Sequence, residues 1–392
     1  MVMKNRVVSI GSWALGFVLI LFANCYAAKS ADKILIGATI SMSGKYKEPA
    51  LMMQEAYNYW VQDINARGGL LGKQVELILY DDKSTPETTE TLYRQLIEKD
   101  NVDLVLSPYS TPLTLKASEV CEPNEKVLLA VAAASKKPWS MGRRYLFQLY
   151  APADRQFVGL LDMMARANYS KLALIYNDVS PFNVDIAAGI KDWSRKFKIE
   201  IVYEKSYQNG EEELAKIIEE IREIQPDSII NSAYPPDSYE LLRLLDSLNY
   251  RPPVLALPIV PAHPDFQKNV GLIADRILGP SQWEPRERIP FPGTKQFIEG
   301  FSKFAGHEPS FHATSAYSSC QLLEKAITQT KTLDNKTLRD YIAALDTVTI
   351  LGRFKVDLSG VQVGHSSVII QWQNGKKEIV WPRKMRTAEP ML

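Results

Sequence analysis

Asp63-Ile-Asn-Ala-Arg-Gly-Gly-Leu-Leu-Gly72, followed at once by Val75-Glu-Leu-Ile-Leu-Tyr-Asp-Asp82, carries a helix into a strand and decides the fold class. Upstream, Met53, Tyr57, Trp60, Val61 and Ile64 recur at helical spacing. The Gly pair then stops that helix, since Gly accepts the left-handed conformation of a C-terminal cap. Val75 to Tyr80 is apolar and short, as a buried strand should be. Before the helix stands a matching strand, Lys33-Ile-Leu-Ile-Gly37. The loop Ser41-Met-Ser-Gly-Lys-Tyr-Lys-Glu48 links the two, and Pro49 suits a first helical turn, where its missing N–H is not needed. Further on, helices are expected over Pro86–Lys99 and Ser110–Glu122, and strands over Asp103–Leu106 and Val127–Val131. Strands that alternate with helices at this interval make βαβ units on a parallel sheet.

The alternation restarts after residue 150. Helices are expected over Asp154–Ala167, Pro181–Phe197 and Glu211–Ile224, with strands over Leu172–Tyr176, Ile199–Tyr203 and Ser228–Asn231. Two such units imply an α/β protein of two doubly wound, Rossmann-like lobes with a cleft between them. Ligands of such sheets bind at the carboxyl ends of the strands. A long helix over Pro309–Thr328 follows, and the last ten residues, polar and Pro-containing, are expected to fray.

The N-terminus has a different grammar. Lys4 and Arg6 precede an apolar run from Val7 to Ala23, and small residues surround Ala27 and Ala28. Basic, apolar, then small is the order of a cleaved secretory signal over 1–28, so the mature protein is expected in the periplasm. The 392 residues carry 46 Lys and Arg against 45 Asp and Glu, which leaves no basic surplus for nucleic acid. Beyond the signal only Cys121 and Cys320 remain, too few for a disulfide framework; the sequence leaves open whether they pair.

Three segments resemble the branched-chain amino-acid (Leu/Ile/Val) binding proteins of ABC importers. They are Ile36-Gly-Ala-Thr-Ile-Ser-Met-Ser-Gly44 and the two stretches quoted first, with Ala130-Val-Ala-Ala-Ala-Ser135 and Tyr207-Gln-Asn-Gly210 as echoes. The resemblance covers roughly residues 33 to 375. It implies a type I periplasmic-binding-protein fold with a three-segment hinge, a monomer, no cofactor or metal, and delivery of ligand to an ABC permease in the inner membrane. Lobe 1 would hold 32–149 and 281–349, lobe 2 would hold 150–280 and 350–382, and 383–392 would form a tail. The hinge crossings would lie near Leu149, Gly279-Pro280 and Leu351-Gly352. A ligand-sensing receptor of the same fold, feeding a sensor kinase or chemoreceptor, is the alternative.

The same resemblance places the ligand. Ser110 and Thr111, at a helix start, would hold a carboxylate, where free N–H groups favour an anion. Ala133 and Ser135 would offer close backbone approach and a hydroxyl. Phe182 and Tyr234 would press on the ligand from the opposite lobe, and Pro49 would stand by the first loop. Amino-acid binders of this family hold the ligand ammonium with an acid in the segment matching Leu257-Pro-Ile-Val260, and no acid stands there. The implied ligand is therefore a small carboxylate-bearing molecule, such as an amino acid or an aromatic acid. Enzyme motifs fail their role checks. His307-Glu308 with His312 misses the i, i+4 zinc spacing, Gly69 to Lys73 misses the phosphate-loop spacing, and no G-x-S-x-G occurs. No catalysis is expected.

Overall fold

The computed structural model describes residues 33–286 and 291–392. The signal segment at 1–28 lies outside the described residues. The first unit runs β1 (Ile34–Ile40), α1 (Lys47–Ala66), β2 (Val75–Asp81), α2 (Pro86–Arg94), β3 (Leu104–Val105), α3 (Thr111–Cys121), β4 (Leu128–Ala130) and β5 (Leu146–Gln148). The second runs α4 (Val158–Arg166), β6 (Lys171–Asn177), α5 (Pro181–Phe197), β7 (Glu200–Tyr207), α6 (Gly210–Ile224), β8 (Ser228–Ser232), α7 (Pro235–Ser247), β9 (Val254–Ala256), α8 (Phe266–Val270) and β10 (Leu278–Ser281). The chain then adds α9 (Thr294–Ala305), α10 (Phe311–Thr330), α11 (Asn335–Ala343), β11 (Thr347–Val348), β12 (Arg353–Phe354), β13 (Val368–Gln373) and β14 (Lys376–Trp381).

Both units share one winding order. In the first, β1 lies between β2 and β3, all parallel, and β4 pairs with β5. In the second, β6 lies between β7 and β8, and β9 and β10 extend the parallel run. The antiparallel β13 and β14 then close the edge beside β10. The strand order reverses at β1/β3 and again at β6/β8, and each reversal opens a crevice at the strand ends.

The stretch that decides the fold does so through local chemistry. Gly69 donates its N–H to the Ile64 carbonyl at 2.8 Å and Gly68 donates to Asn65 at 3.1 Å, the paired bonds of a Schellman cap. Gly69 has φ +78°, and a Cβ there would lie 1.9 Å from the Lys73 carbonyl oxygen, so only Gly fits. Asn65 then pairs its side-chain amide with both backbone groups of Val75, at 2.7 and 2.8 Å, and starts β2. Helix α10 packs on α1 around the buried Trp60, which joins the returning segment to the first lobe.

The linkers between the lobes lie side by side. Gln362 donates its side-chain amide to the Leu149 carbonyl at 3.1 Å, and Ala151 donates its N–H to the Gln282 side chain at 3.0 Å. Gly279 and Pro280 are inside β10, and the Leu351 N–H bonds to Ser318 of α10 at 3.2 Å.

Some expectations need correction. The helix expected over Asp154–Ala167 is a single tight turn at Ala153–Arg155 followed by α4 from Val158, because Ala153 is tied by its N–H to the Ala134 carbonyl. The C-terminal residues are anchored rather than frayed. Gln371 of β13 makes two 2.8 Å bonds with the backbone of Met391, and its neighbour Gln373 donates to the Glu389 carbonyl. Cys121 and Cys320 are free and buried.

Candidate functional site

The cleft begins with the Asp pair that ends β2. Asp82 is fully buried and accepts the hydroxyls of Thr39 at 2.8 Å and Ser41 at 2.5 Å. Asp81 accepts the Met42 N–H and the Ser43 hydroxyl, both at 2.9 Å. Together they fold the β1–α1 loop back over the strand ends. Ser84 completes this, taking the Tyr46 N–H at 3.0 Å, so that Tyr46 is turned inward and left 2% exposed.

Tyr46 is one link in an aromatic chain that crosses the cleft. Its ring lies 5.5 Å from Tyr109 and 5.0 Å from Tyr234, and Tyr234 lies 5.7 Å from Phe182. On the other side Tyr109 meets His312 edge-on at 5.4 Å, His312 lies 4.0 Å from Phe311, and Phe311 lies 5.7 Å from Tyr150. All of these rings except Tyr46 line a cavity completed by Ala132, Ala134, Gln156, Pro258, Ile259, Pro280 and Gln282. Its water-accessible space is about 30 Å³, so the lobes are closed on one another.

Four helix starts meet at this cavity. Tyr109 precedes the first residue of α3 by two positions, Phe182 opens α5, Tyr234 caps α7, and Phe311 and His312 begin α10. For α3, α5 and α7 the cause is topological, because each begins where the preceding strand ends, whereas α10 is brought there by the returning segment after α9. The start of α3 is distinctive. Ser110 is its cap residue, with φ 78° and ψ 157°, a region that costs an L-residue about 1–3 kcal/mol. It makes no capping bond. Its hydroxyl is buried near the phenols of Tyr46 and Tyr234 and has no hydrogen-bond partner among the described residues. Burial pushes the Tyr46 phenol up to about 12 and the Tyr234 phenol well above its ordinary value, so both are neutral donors at pH 7. Among the described residues, no Asp, Glu, Lys or Arg lines the cavity. The site is uncharged, and the helix N-termini bias it toward an anion.

The residues singled out from the sequence separate into groups. Phe182 and Tyr234 line the cavity; Ser110 and Thr111, which follow the lining residue Tyr109, are buried but do not line it. Ala132 and Ala134 face the space; Ala133, between them, turns its carbonyl to Gln148 at 3.1 Å. Ser135 is occupied, donating its hydroxyl to Asp185 of α5 at 2.7 Å, while Lys136 reaches Asp154 at 2.6 Å. Pro49 is buried in α1, which starts two residues earlier than expected, and does not touch the cavity. Tyr109, Gln282, Phe311 and His312 were not singled out as contacts. The signal for the last two was present in Ser310, a helix cap that accepts the Ala313 N–H.

A second rim contact closes the other side. His263 Nδ1 accepts the Asp265 N–H at 3.0 Å, and its Nε2 lies 3.1 Å from a Glu48 carboxylate oxygen. A larger groove, of about 530 Å³, lies on the outer face among α1, α9 and α10. Its Arg67 is already bridged to Asp63 and Glu324, and it is open to solvent and remote from the strand ends.

Two doubly wound lobes, joined by adjacent linkers and closed over a small ring-lined cavity, have the form of a binding protein. The periplasmic binding protein family model matches residues 33–377, and the chain belongs to that family. Among curated relatives, the Leu/Ile/Val-binding protein homolog 7 of Brucella suis is 23% identical, covering 93% of this chain and 96% of its own. The branched-chain amino acid transporter substrate binding protein of Streptococcus pneumoniae, solved in complex with isoleucine, superposes with TM-score 0.80 at 21% identity, over 89% of this chain and 100% of that one. A solute binding protein of an ABC transporter from R. palustris, in complex with benzoate, gives TM-score 0.76 at 17% identity, over 88% and 94%.

Proposed function

We propose that this chain is the periplasmic solute-binding protein of an ABC importer, and that its ligand is a small aromatic or apolar carboxylic acid without an α-ammonium. One observation carries the reading: four helix N-termini meet at a cavity whose wall, among the described residues, holds no carboxylate. An ammonium there would be desolvated with no counter-charge, whereas a carboxylate would meet the N–H groups of α3, the Ser110 hydroxyl and two neutral phenols. The rings supply the apolar remainder of the recognition. The benzoate complex of the R. palustris protein shows that a member of this fold takes such a ligand. The isoleucine complex is the competing precedent. Lobe limits of 32–149 with 281–349, and 150–280 with 350–382, complete the proposal, together with export through a cleaved signal at 1–28 and delivery as a monomer to a membrane permease.

Titration calorimetry with benzoate and benzamide tests it. The acid should bind and the isosteric amide should not; equal binding of the two removes the anion from the account.

A further inference from the structure

His312 has a feature that carboxylate capture leaves unused. It is the second residue of α10 and lines the cavity, yet it is only 3% exposed. Its Nδ1 is buried without a hydrogen-bond partner. Phe311 covers one side of the ring at 4.0 Å and Tyr109 meets its edge at 5.4 Å, so the ring is held in place by packing. Burial first, then the nearby His263 and the positive charge of Lys377, holds the imidazole well below its ordinary range and therefore neutral. Among the described residues no hydrogen bond reaches the Tyr109 phenol beside it.

A neutral imidazole offers one donor and one acceptor nitrogen. Native proteins rarely leave such an atom buried and unpaired, and a partner from outside the chain is one way to resolve it. A carboxylate only accepts, and the start of α3 already provides for it. A hydroxyl both donates and accepts, so it satisfies the ring in either tautomer. We propose that His312 is a specificity-determining ligand contact, and that it selects aromatic acids bearing a ring hydroxyl over the unsubstituted acid. This rests on the carboxylate reading given above.

The test is titration calorimetry of benzoate, 3-hydroxybenzoate and 4-hydroxybenzoate against the wild-type protein, His312→Phe and His312→Gln. The wild type should prefer one hydroxylated acid by about tenfold or more, the scale of one buried hydrogen bond. His312→Phe should bring that ratio to about one, and His312→Gln should keep part of the preference. Melting curves identify a variant that fails to fold, in which case the other variant decides. Equal wild-type affinity for all three acids, or a preference that survives both substitutions, overturns the role of His312 and leaves the carboxylate reading standing. Absence of binding by every acid overturns both.

Discussion

Ser135 on one lobe donates its hydroxyl to Asp185 on the other, Oγ to Oδ2 at 2.7 Å, and the same carboxylate oxygen takes the Lys136 N–H at 2.9 Å. Lys136 Nζ adds a contact to Asp154 at 2.6 Å. These bonds cross the cleft and hold it closed over a space too small for an organic acid. Each should contribute about 0.5–1.5 kcal/mol to the closed state. Asp185→Ala should therefore shift the ligand-free protein toward an open form, read as a larger radius of gyration by small-angle scattering. Ligand should restore the wild-type value. An unchanged radius in the variant would show that other contacts hold the lobes together.

Ser110 should trade stability for binding. Its backbone occupies a region suited to Gly, so Ser110→Gly should relieve strain and stabilise the fold by about 1 kcal/mol. The same change removes a hydroxyl from the anion site. The expected result is a higher Tm together with a weaker Kd for the acid. A Tm that falls would contradict the strain.

The buried histidines make stability depend on pH. Burial lowers His263 and His365 to about 4, against about 6.5 for a free imidazole. Between those values the unfolded chain binds more protons than the folded one. Stability is complete above about pH 6.5 and falls as pH drops toward 4, by on the order of 2 kcal/mol per histidine at pH 5. Glu48, raised by burial and facing His263, opposes this because its protonation favours the folded state. Asp265 also opposes the lowering of His263, while Lys377 and His307 add to it. Tm measured from pH 7.5 to 5 should fall, and the double change His263→Gln with His365→Gln should flatten the slope. A Tm independent of pH in the wild type would contradict it.

Gly189 sets how closely α5 approaches the start of the second lobe. A Cβ there would lie 2.2 Å from the Asp154 carbonyl oxygen, a backbone atom that cannot turn aside. Gly189→Ala should cost about 1–3 kcal/mol. At about 2–4 °C per kcal/mol, thermal denaturation resolves that loss. Melting at the wild-type temperature would mean that the helix can shift freely.

The lobes were legible because their signals are local. Residues Met53 to Ile64 repeat at the period of a helix, Gly68 and Gly69 end it, and Asp81-Asp82 marks a strand end. β3 is only two residues long and yields no periodicity of its own; it is a strand because β1 pairs with it. The tail misleads for a similar reason, since a polar sequence looks solvated until Gln371 and Gln373 are found beneath it. At the site, Phe182 and Tyr234 could be named only through resemblance. Ser135 was read as a ligand hydroxyl, yet its partner Asp185 is 50 residues away on the opposite lobe. Tyr109 and His312 meet across 203 positions of chain, and no spacing rule brings them together.

The account stands or falls on whether the cleft wants a carboxylate without an ammonium. The most direct measurement is thermal stabilisation by matched pairs: leucine against 4-methyl-2-oxopentanoate, and phenylalanine against 3-phenylpropanoate. A ligand at one hundred times its Kd adds about 2.7 kcal/mol to the folded state, a shift of several degrees for domains of this size. The deaminated acids should stabilise the protein, and the amino acids should do so less or not at all. Stabilisation that appears only when the α-amino group is present would contradict the account and require an acid in the cleft to hold it.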